Sequence, residues 1–309
     1  MKPSIVVVGS VNMDLVIRAP RMPAPGETIA GSGVQTIPGA KGANQAVAAA
    51  RMGAEVHFSG SVGSDDFGRR LRQGLAADGI DLTHLAVLED ESTGVALIIL
   101  DAAGQNSIVL APGANHRLTP EQIETCTDTI ASADMLVCQL ETPLPAVTRA
   151  VDIAYDKRVP VILNPAPAGP LERSLLAKIR YLISNETEAS LLSGVQVVDA
   201  ETAGVAAHRL IDDGVDQVLI TLGHKGVVCA LEHGAVSYAP AIRAPVVDTT
   251  GAGDTFVGTL AVELASARTL REAIQTAQAA AALAVTKLGA QTSIPRRDEV
   301  TQFIRSRAL

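Results

Sequence analysis

Two glycine-bearing stretches hold the residues best placed to do chemistry. Asp248-Thr-Thr-Gly-Ala-Gly-Asp254-Thr-Phe256 runs into a small-residue stretch with helical character that ends near Ala267. Glycines directly before a helix let the backbone approach a ligand closely. They aim unpaired N–H groups and the positive end of the helix dipole at one point. Such a point suits a phosphate or a developing negative charge, and Asp254 lies beside it. Read alone, the same motif also suits a turn at Gly251 and a helix-capping role for Asp254. Gly39-Ala-Lys-Gly-Ala-Asn44 follows the same logic, as a turn entering a helix with Lys41 and Asn44 available to a polar ligand.

Further polar residues fall where strands end. Asn12 and Asp14 follow the first strand, Glu141 a later one, and Asn185 and Glu188 another. Each alone is a common turn or cap residue. Together, past the carboxyl ends of parallel strands, they mark where α/β sheets bind ligands. Other chemistries lack their signatures. There is no G-x-x-x-x-G-K-[ST] loop, no G-x-G-x-x-G after the first strand, and no H-E-x-x-H. His57, His84, His116, His208, His224 and His233 show no metal-ligand spacing and read as surface or loop residues.

The elements that must position these groups alternate in type. Strands are expected at 4–9, 55–60, 135–140, 160–164, 181–184 and 218–222, from short β-branched runs bounded by turn residues. Helices are expected at 43–52, with Gly53 as a C-cap, and at 65–78, 145–157, 186–192 and 200–213. Strand–helix alternation implies a parallel sheet covered on both faces. Residues 14–38 and 93–111 break the rhythm. The first is rich in turn residues, and the second reads as two apolar strands about the turn Asp101-Ala-Ala-Gly104. Together they could form a small sheet, either a lid over a cleft or a pair of ordinary edge hairpins.

Composition narrows the class. The 309 residues suffice for two domains or one large α/β domain, and 47% apolar content excludes a disordered chain. A net charge of −8 and 2% aromatic residues argue against a nucleic-acid partner or an anionic membrane surface. Cys126, Cys138 and Cys229 form no C-x-x-C pair and suit a reducing cytoplasm. The apolar run near the N-terminus is too short for a secretory signal. The longest apolar helix candidate, 279–285, falls far short of the ~20 residues a membrane span needs.

The two glycine stretches, in this order, resemble the C-terminal and N-terminal signatures of the ribokinase-like carbohydrate kinases, the PfkB family. The resemblance runs from about Ile5 to Phe303. It includes Asn12-Met-Asp14, Pro25-Gly-Glu-Thr28, Gln139-Leu-Glu-Thr-Pro143, Asn164-Pro-Ala-Pro167, Asn185-Glu-Thr-Glu188 and Leu288-Gly-Ala-Gln-Thr-Ser293. It implies a three-layer α/β/α domain with a mostly parallel central sheet, formed by 1–13, 39–92 and 112–309. Segments 14–38 and 93–111 would form a β-sheet lid that also pairs two subunits. The implied reaction is MgATP-dependent phosphorylation of D-ribose at its 5-hydroxyl.

By the same resemblance, Asp254 takes the proton from the attacking hydroxyl, and Gly251, Ala252 and Gly253 supply N–H groups to the transferring phosphoryl. Asn12, Asp14, Gly39, Lys41, Asn44, Glu141 and Asp254 fall on sugar-binding positions. Asn185, Thr221, Gly223, Gly226, Gly253 and Gln278 fall on nucleotide positions. Glu188 is associated with Mg²⁺ through water. Asp248, Thr250, Ala284, Lys287, Gly289 and Ser293 fall on positions for an activating monovalent cation, K⁺. Two residues depart from the pattern: Ala40 stands where a second glycine is usual, and Gln278 where a histidine often faces the nucleotide. The rivals are kinases of the same family acting on 2-deoxyribose, another small sugar or a nucleoside such as adenosine. More remote is a non-catalytic sugar-binding protein on the same fold. A nucleoside base would find few stacking partners among three Tyr and four Phe.

Overall fold

The computed structural model describes residues 2–102, 105–231, 234 and 236–307. Thirteen strands occur in chain order: β1 Ser4–Val8, β2 Asn12–Arg18, β3 Ser32–Gly39, β4 Glu55–Gly63, β5 Asp81–Leu88, β6 Gly94–Leu100, β7 Asn106–Ala111, β8 Met135–Gln139, β9 Val161–Asn164, β10 Tyr181–Asn185, β11 Gln217–Thr221, β12 Gly226–Leu231 and β13 Val236–Pro240. Nine of them form one sheet in the order β13-β12-β11-β10-β9-β8-β1-β4-β5. It is parallel from β5 across to β11 and ends in the antiparallel pairs β11–β12 and β12–β13.

Side chains of β1 show why this sheet lies between two layers. Successive strand residues point to opposite faces. Ile5 and Val7 join a core with Ala46, Phe256, Leu260 and Ala277, whereas Val6 and Val8 join one with Val147, Ala150, Ala206 and Leu210. A strand buried on both sides needs the continuous β-branched run that Ile5–Val8 supplies.

The chain winds outward from β1 to β4 and β5, then returns to β8 and winds the other way. Loops leaving β1 and β8 therefore diverge, and the crevice between them is where an α/β sheet receives ligands. Two helices converge on that crevice. The helix Lys41–Arg51 starts two residues earlier than the spacing predicts, which places Lys41 and Asn44 in its first turns. The helix Ala252–Ala265 packs beside it through Gly258, where a Cβ would lie 2.4 Å from the Gln45 carbonyl oxygen. The missing side chain lets the two helix starts meet.

The other expected strands and helices occur within a few residues of their predicted bounds. The antiparallel edge β12–β13 and the helices Leu270–Ala284 and Arg297–Arg307 complete the main body. A separate four-stranded sheet, ordered β3-β2-β6-β7, stands apart from the large one. It begins at Asn12 and β3 runs through Gly39, so those two residues belong to the small sheet. Strands β6 and β7 pair antiparallel. In the turn expected between them, Ala103 and Gly104 lie outside the described residues.

The histidines correct the sequence reading in part. His57 and His84 are half-buried on β4 and β5, bonded to Asp81 and Thr129 respectively, and His208 is half-buried in the helix Ala200–Asp212. A strand residue at a sheet edge can bury its ring while the ring nitrogens bond to a neighbouring element. His116 and His224 are exposed, and His233 lies outside the described residues.

Ala40, just before the helix Lys41–Arg51, has φ 79° and ψ 146°. Only glycine adopts this region freely. Relief of that strain in Ala40→Gly exceeds the entropy a glycine adds to the unfolded chain, leaving about 1 kcal/mol of stabilisation. The variant should melt about 2 °C higher than the wild type by calorimetry, and an unchanged or lower Tm would contradict the strain.

Candidate active site

Asp254 is the point on which the site converges. It lies in the first turn of Ala252–Ala265 and is 8% exposed. The preceding Gly251 has φ 74°, a left-handed turn that a side chain would strain, and no side chain caps the helix. First-turn N–H groups have no intrahelical partner. The Ala252 N–H, expected to serve the phosphoryl group, donates instead to the Thr249 carbonyl at 3.2 Å, and the Thr255 N–H donates to the Gly251 carbonyl. This leaves the Gly253 and Asp254 N–H groups without a backbone partner among the described residues.

The Asp254 carboxylate accepts two hydrogen bonds from the neighbouring helix. Asn44 Nδ2 donates to its Oδ2 at 2.9 Å, and Gln45 Nε2 donates to its Oδ1 at 3.0 Å. A carboxylate with remaining lone pairs, next to unspent N–H donors, can accept a proton while the donors hold growing negative charge.

On one side lies a polar hollow beneath the small sheet. Ser10 Oγ donates to Glu141 Oε2 at 2.6 Å, and the Lys41 N–H donates to the same oxygen at 3.0 Å. This bridge closes the crevice between β1 and β8. Asn115 Nδ2 donates to Asn12 Oδ1 at 2.7 Å, so Asn12 keeps its NH₂ as the free donor. Gly39 pairs with Asn12 across β2 and β3, and Asp14 follows on the same strand. Burial, then the negative charges of Glu141 and Asp254, pushes the Asp14 carboxyl up to about 7. Burial works to lower the Lys41 ammonium, but Asp254, Glu141 and Glu188 outweigh it and raise its pKa.

On the other side is a cavity of about 230 Å³. Lys41, Asn185, Glu188, Thr221, Gly251, Gly253 and Asp254 line it, together with Asn164, Ser184 and Thr249. Its donor set suits phosphate: a cation, hydroxyls and helix-start N–H groups. The Ser184 hydroxyl is buried without a partner, which leaves a polar atom for a ligand. Asn185 caps the helix Glu186–Ser193 through a capping box, with the Asn185 N–H donating to Glu188 Oε2 at 3.0 Å. The Glu188 carboxyl is raised, first by burial and also by the Asp254 charge, so a divalent cation here would restore its preference for ionisation.

Gly223 and Gly226 flank the turn after β11, beyond the residues lining that cavity. Gln278 Nε2 donates to the Ala239 and Pro240 carbonyls at 3.2 and 3.1 Å, tying the helix Leu270–Ala284 to the end of β13.

The remaining sequence candidates form a bracket behind the helix start. Asp248 Oδ1 accepts from the Thr250 N–H and hydroxyl at 3.0 and 2.7 Å, while its Oδ2 accepts from the Gly289 N–H at 2.9 Å. Partial burial works to raise the Asp248 carboxyl, but those three bonds hold it below the usual range. Ala284 and Ser293 lie at the two ends of the loop that Gly289 crosses, and Ser293 Oγ donates to the Ala290 carbonyl at 2.8 Å. Ala290 Cα would lie 3.2 Å from a Cβ on Gly251. Lys287 pairs instead with Glu299 at 2.9 Å.

Sequence reasoning missed Ser10, Gln45, Asn115, Gln139 and Asn164 as working parts. Gln45 carried one signal, a polar side chain inside an otherwise Ala-rich helix; Gln139 and Asn164 each end a buried strand. Nothing local marks Asn115, which reaches Asn12 across 103 positions.

The raised Asp14 carboxyl has a linkage consequence. The folded state binds this proton more tightly than the unfolded chain, whose Asp titrates near 3.9. The stability involved is fully present below about pH 4 and is lost as the pH rises through about 7. Asp14→Asn removes that loss, which is on the order of 2–4 kcal/mol. In the substrate-free protein, the variant should melt several degrees above the wild type at pH 8, with the gap closing by about pH 4.5. A gap independent of pH would show that Asp14 ionises normally.

Known proteins resemble this chain along nearly its whole length. The pfkB family carbohydrate kinase model matches residues 2–297. A ribokinase of Haemophilus influenzae is 45% identical over 304 residues, 98% of this chain and 99% of that protein. A deoxyribokinase of Salmonella typhi is 35% identical over 301 residues, covering 97% and 98% of the two. The structure of Arabidopsis thaliana ribokinase complexed with ribose and ATP superposes with a TM-score of 0.94 at 35% identity, covering 99% of each chain. With the family model spanning both glycine stretches and every residue of the polar hollow, the chain belongs to the PfkB family of carbohydrate kinases.

Proposed function

We propose that this protein transfers the γ-phosphoryl group of ATP to the 5-hydroxyl of D-ribose, giving D-ribose 5-phosphate and ADP. One observation carries the reading: Asp254 stands between the polar hollow and the phosphate-suited cavity, at the mouth of an uncapped helix start. The sugar occupies the hollow, with Asn12, Asp14, Gly39, Lys41, Asn44 and Glu141 around its hydroxyls. Asp254 takes the proton of the 5-hydroxyl as its oxygen bonds to the γ-phosphorus. The bond from that phosphorus to the bridging oxygen of ADP breaks. The turn Gly251–Ala252 presents the N–H groups of Gly253 and Asp254 to the transferring group, and Lys41 faces the same charge. Positioning and charge neutralisation supply most of the catalysis in phosphoryl transfer.

The nucleotide extends past Asn185 and Thr221 towards Gly223, Gly226 and Gln278. Glu188 would hold Mg²⁺, which would neutralise phosphate charge. The segments carrying Asp248, Thr250, Ala284, Lys287, Gly289 and Ser293 would hold K⁺, largely through backbone carbonyls, the Lys287 side chain itself pairing with Glu299. A cation there would order the segment that leads into the helix start.

Residues 14–38 and 93–111 act as a lid in this reading. The small sheet exposes apolar side chains on both faces. Asp14 shares one with Ile108 and Leu110, and Leu97 and Val109 lie on the other, all four apolar side chains exposed. A sheet that covers a site with one face and leaves apolar residues on the other suits pairing of two lids in a homodimer. Three buried free cysteines suit the cytoplasm, and among the described residues no helix is long and apolar enough to cross a membrane.

A deoxy sugar is the second reading, since a deoxyribokinase also aligns along the chain. The full set of polar residues in the hollow favours the hydroxylated pentose, because a missing 2-hydroxyl leaves buried groups unpaired. A panel of ribose, 2-deoxyribose, fructose and adenosine with MgATP, in K⁺, Na⁺ or a bulky organic cation, should show fastest ADP release with ribose in K⁺. Tenfold faster turnover of another acceptor would overturn the substrate, and equal rates in the three salts would remove the cation site.

Asp254→Asn preserves size and one of the two hydrogen bonds from Asn44 and Gln45 but removes the proton acceptor. Its kcat should fall by about 10²–10⁴, roughly 3–5 kcal/mol of barrier, with KM for ATP nearly unchanged. A variant retaining more than about a tenth of wild-type kcat would show that the proton leaves by another route.

A further inference from the structure

We infer that Gln45 is the positioning residue for Asp254, and that Asn164 and Gln139 set which end of its amide faces the carboxylate. The inference rests on Asp254 being the base. It starts from a buried chain of side-chain amides behind that residue. Gln45 is 1% exposed, Gln139 is 0%, and Asn164 is 8%.

The direction of the chain is fixed at its far end. The Ile183 carbonyl on β10 can only accept, so Asn164 must present Nδ2 to it, at 2.8 Å. Asn164 Oδ1 then faces Gln45 and needs a donor. Gln45 Nε2 supplies it at 3.0 Å, and the same nitrogen reaches Asp254 Oδ1 at 3.0 Å. Gln45 Oε1 consequently faces away and accepts from Gln139 Nε2 at 2.7 Å. A strand carbonyl thereby dictates the polarity of a group on another helix. If the Gln45 amide turned over, its oxygen would face two acceptor oxygens and leave Gln139 without an acceptor.

The consequence falls on Asp254. With Asn44 on Oδ2 and Gln45 on Oδ1, both carboxylate oxygens are tethered and the plane of the group is set. The remaining lone pairs keep one direction. A second observation separates this from packing. Gln139 Oε1 is buried with no partner, and a Cβ on Gly9 would lie 2.1 Å from it. An apolar side chain would fill that volume without stranding an acceptor, so the amide is there for the hydrogen it gives to Gln45.

Gln45→Met keeps the volume and removes the donor. Its kcat should fall about 10- to 100-fold, the scale expected when a reacting group loses its orientation. KM for ATP should stay within about twofold, while Tm should fall by a few degrees, because Asn164 Oδ1 and Gln139 Nε2 lose their partner. In an Asp254→Asn background the same change should alter kcat by less than about threefold, because Gln45 acts only through that carboxylate. Gln139→Met should give a smaller loss of the same kind, since Asn164 still orients Gln45, and it serves as the second variant if Gln45→Met fails to fold. Wild-type kcat in either variant overturns the assignment, and so does a fall in kcat accompanied by a KM for ATP raised more than about twofold. Loss in Asp254→Asn with a silent Gln45→Met removes the positioning role alone, whereas an active Asp254→Asn removes the base and the positioning role with it.

Discussion

The closeness of two helix starts is the constraint on which the rest of the site depends. Lys41–Arg51 carries Asn44 and Gln45, and Ala252–Ala265 carries Asp254. They reach hydrogen-bond distance because Gly258 has no side chain to hold the helices apart at the Gln45 carbonyl. Their positive ends meet where the sheet reverses its winding, and the crevice, the dipoles and the carboxylate share one location. The Ser10–Glu141–Lys41 bridge then ties that location to the ends of β1 and β8.

Charge in the crevice is arranged for ligands. Glu141, Glu188 and Asp254 crowd around Lys41, and Asp14 lies near Glu141 and Asp254. Burial and the charges of neighbouring carboxylates raise the Asp14 and Glu188 carboxyls, whereas Asp254, Glu141 and Glu188 hold the Lys41 ammonium firmly charged. Sugar hydroxyls, which donate to carboxylates, and phosphates, which draw on the ammonium and the helix N–H groups, each satisfy part of this imbalance. Ala40 fits the same pattern of strain held at a functional site, since its φ of 79° lies just where the chain turns from β3 into the helix that holds Asn44.

Much of the fold was legible because its signals are local. Ile5–Val8 is a β-branched run buried on both sides, and such runs announce a central parallel strand. The glycines before Asp254 marked a helix start, and resemblance to a family attached a chemistry to it. Less visible was the antiparallel edge β12–β13, which interrupts the parallel pattern. His57, His84 and His208 were misread because their burial comes from neighbouring elements rather than from their own sequence context.

By itself the sequence determined the layered α/β class and two glycine stretches able to do chemistry, and left the small sheet open between a lid and a pair of edge hairpins. The first two follow from hydrophobic period, turn residues and glycine placement, all properties of short windows, whereas the roles of the individual site residues came from resemblance to a family. Tertiary structure alone decided which polar side chains face one another and with what polarity. Gln45 meets Asp254 across 209 positions, Gln139 meets Gln45 across 94, and Asn115 meets Asn12 across 103. The physical reason is that an amide can present either its donor or its acceptor, and only the folded neighbours choose. At Asn164 that choice is made by the backbone carbonyl of Ile183, whose direction is set by the strand it belongs to.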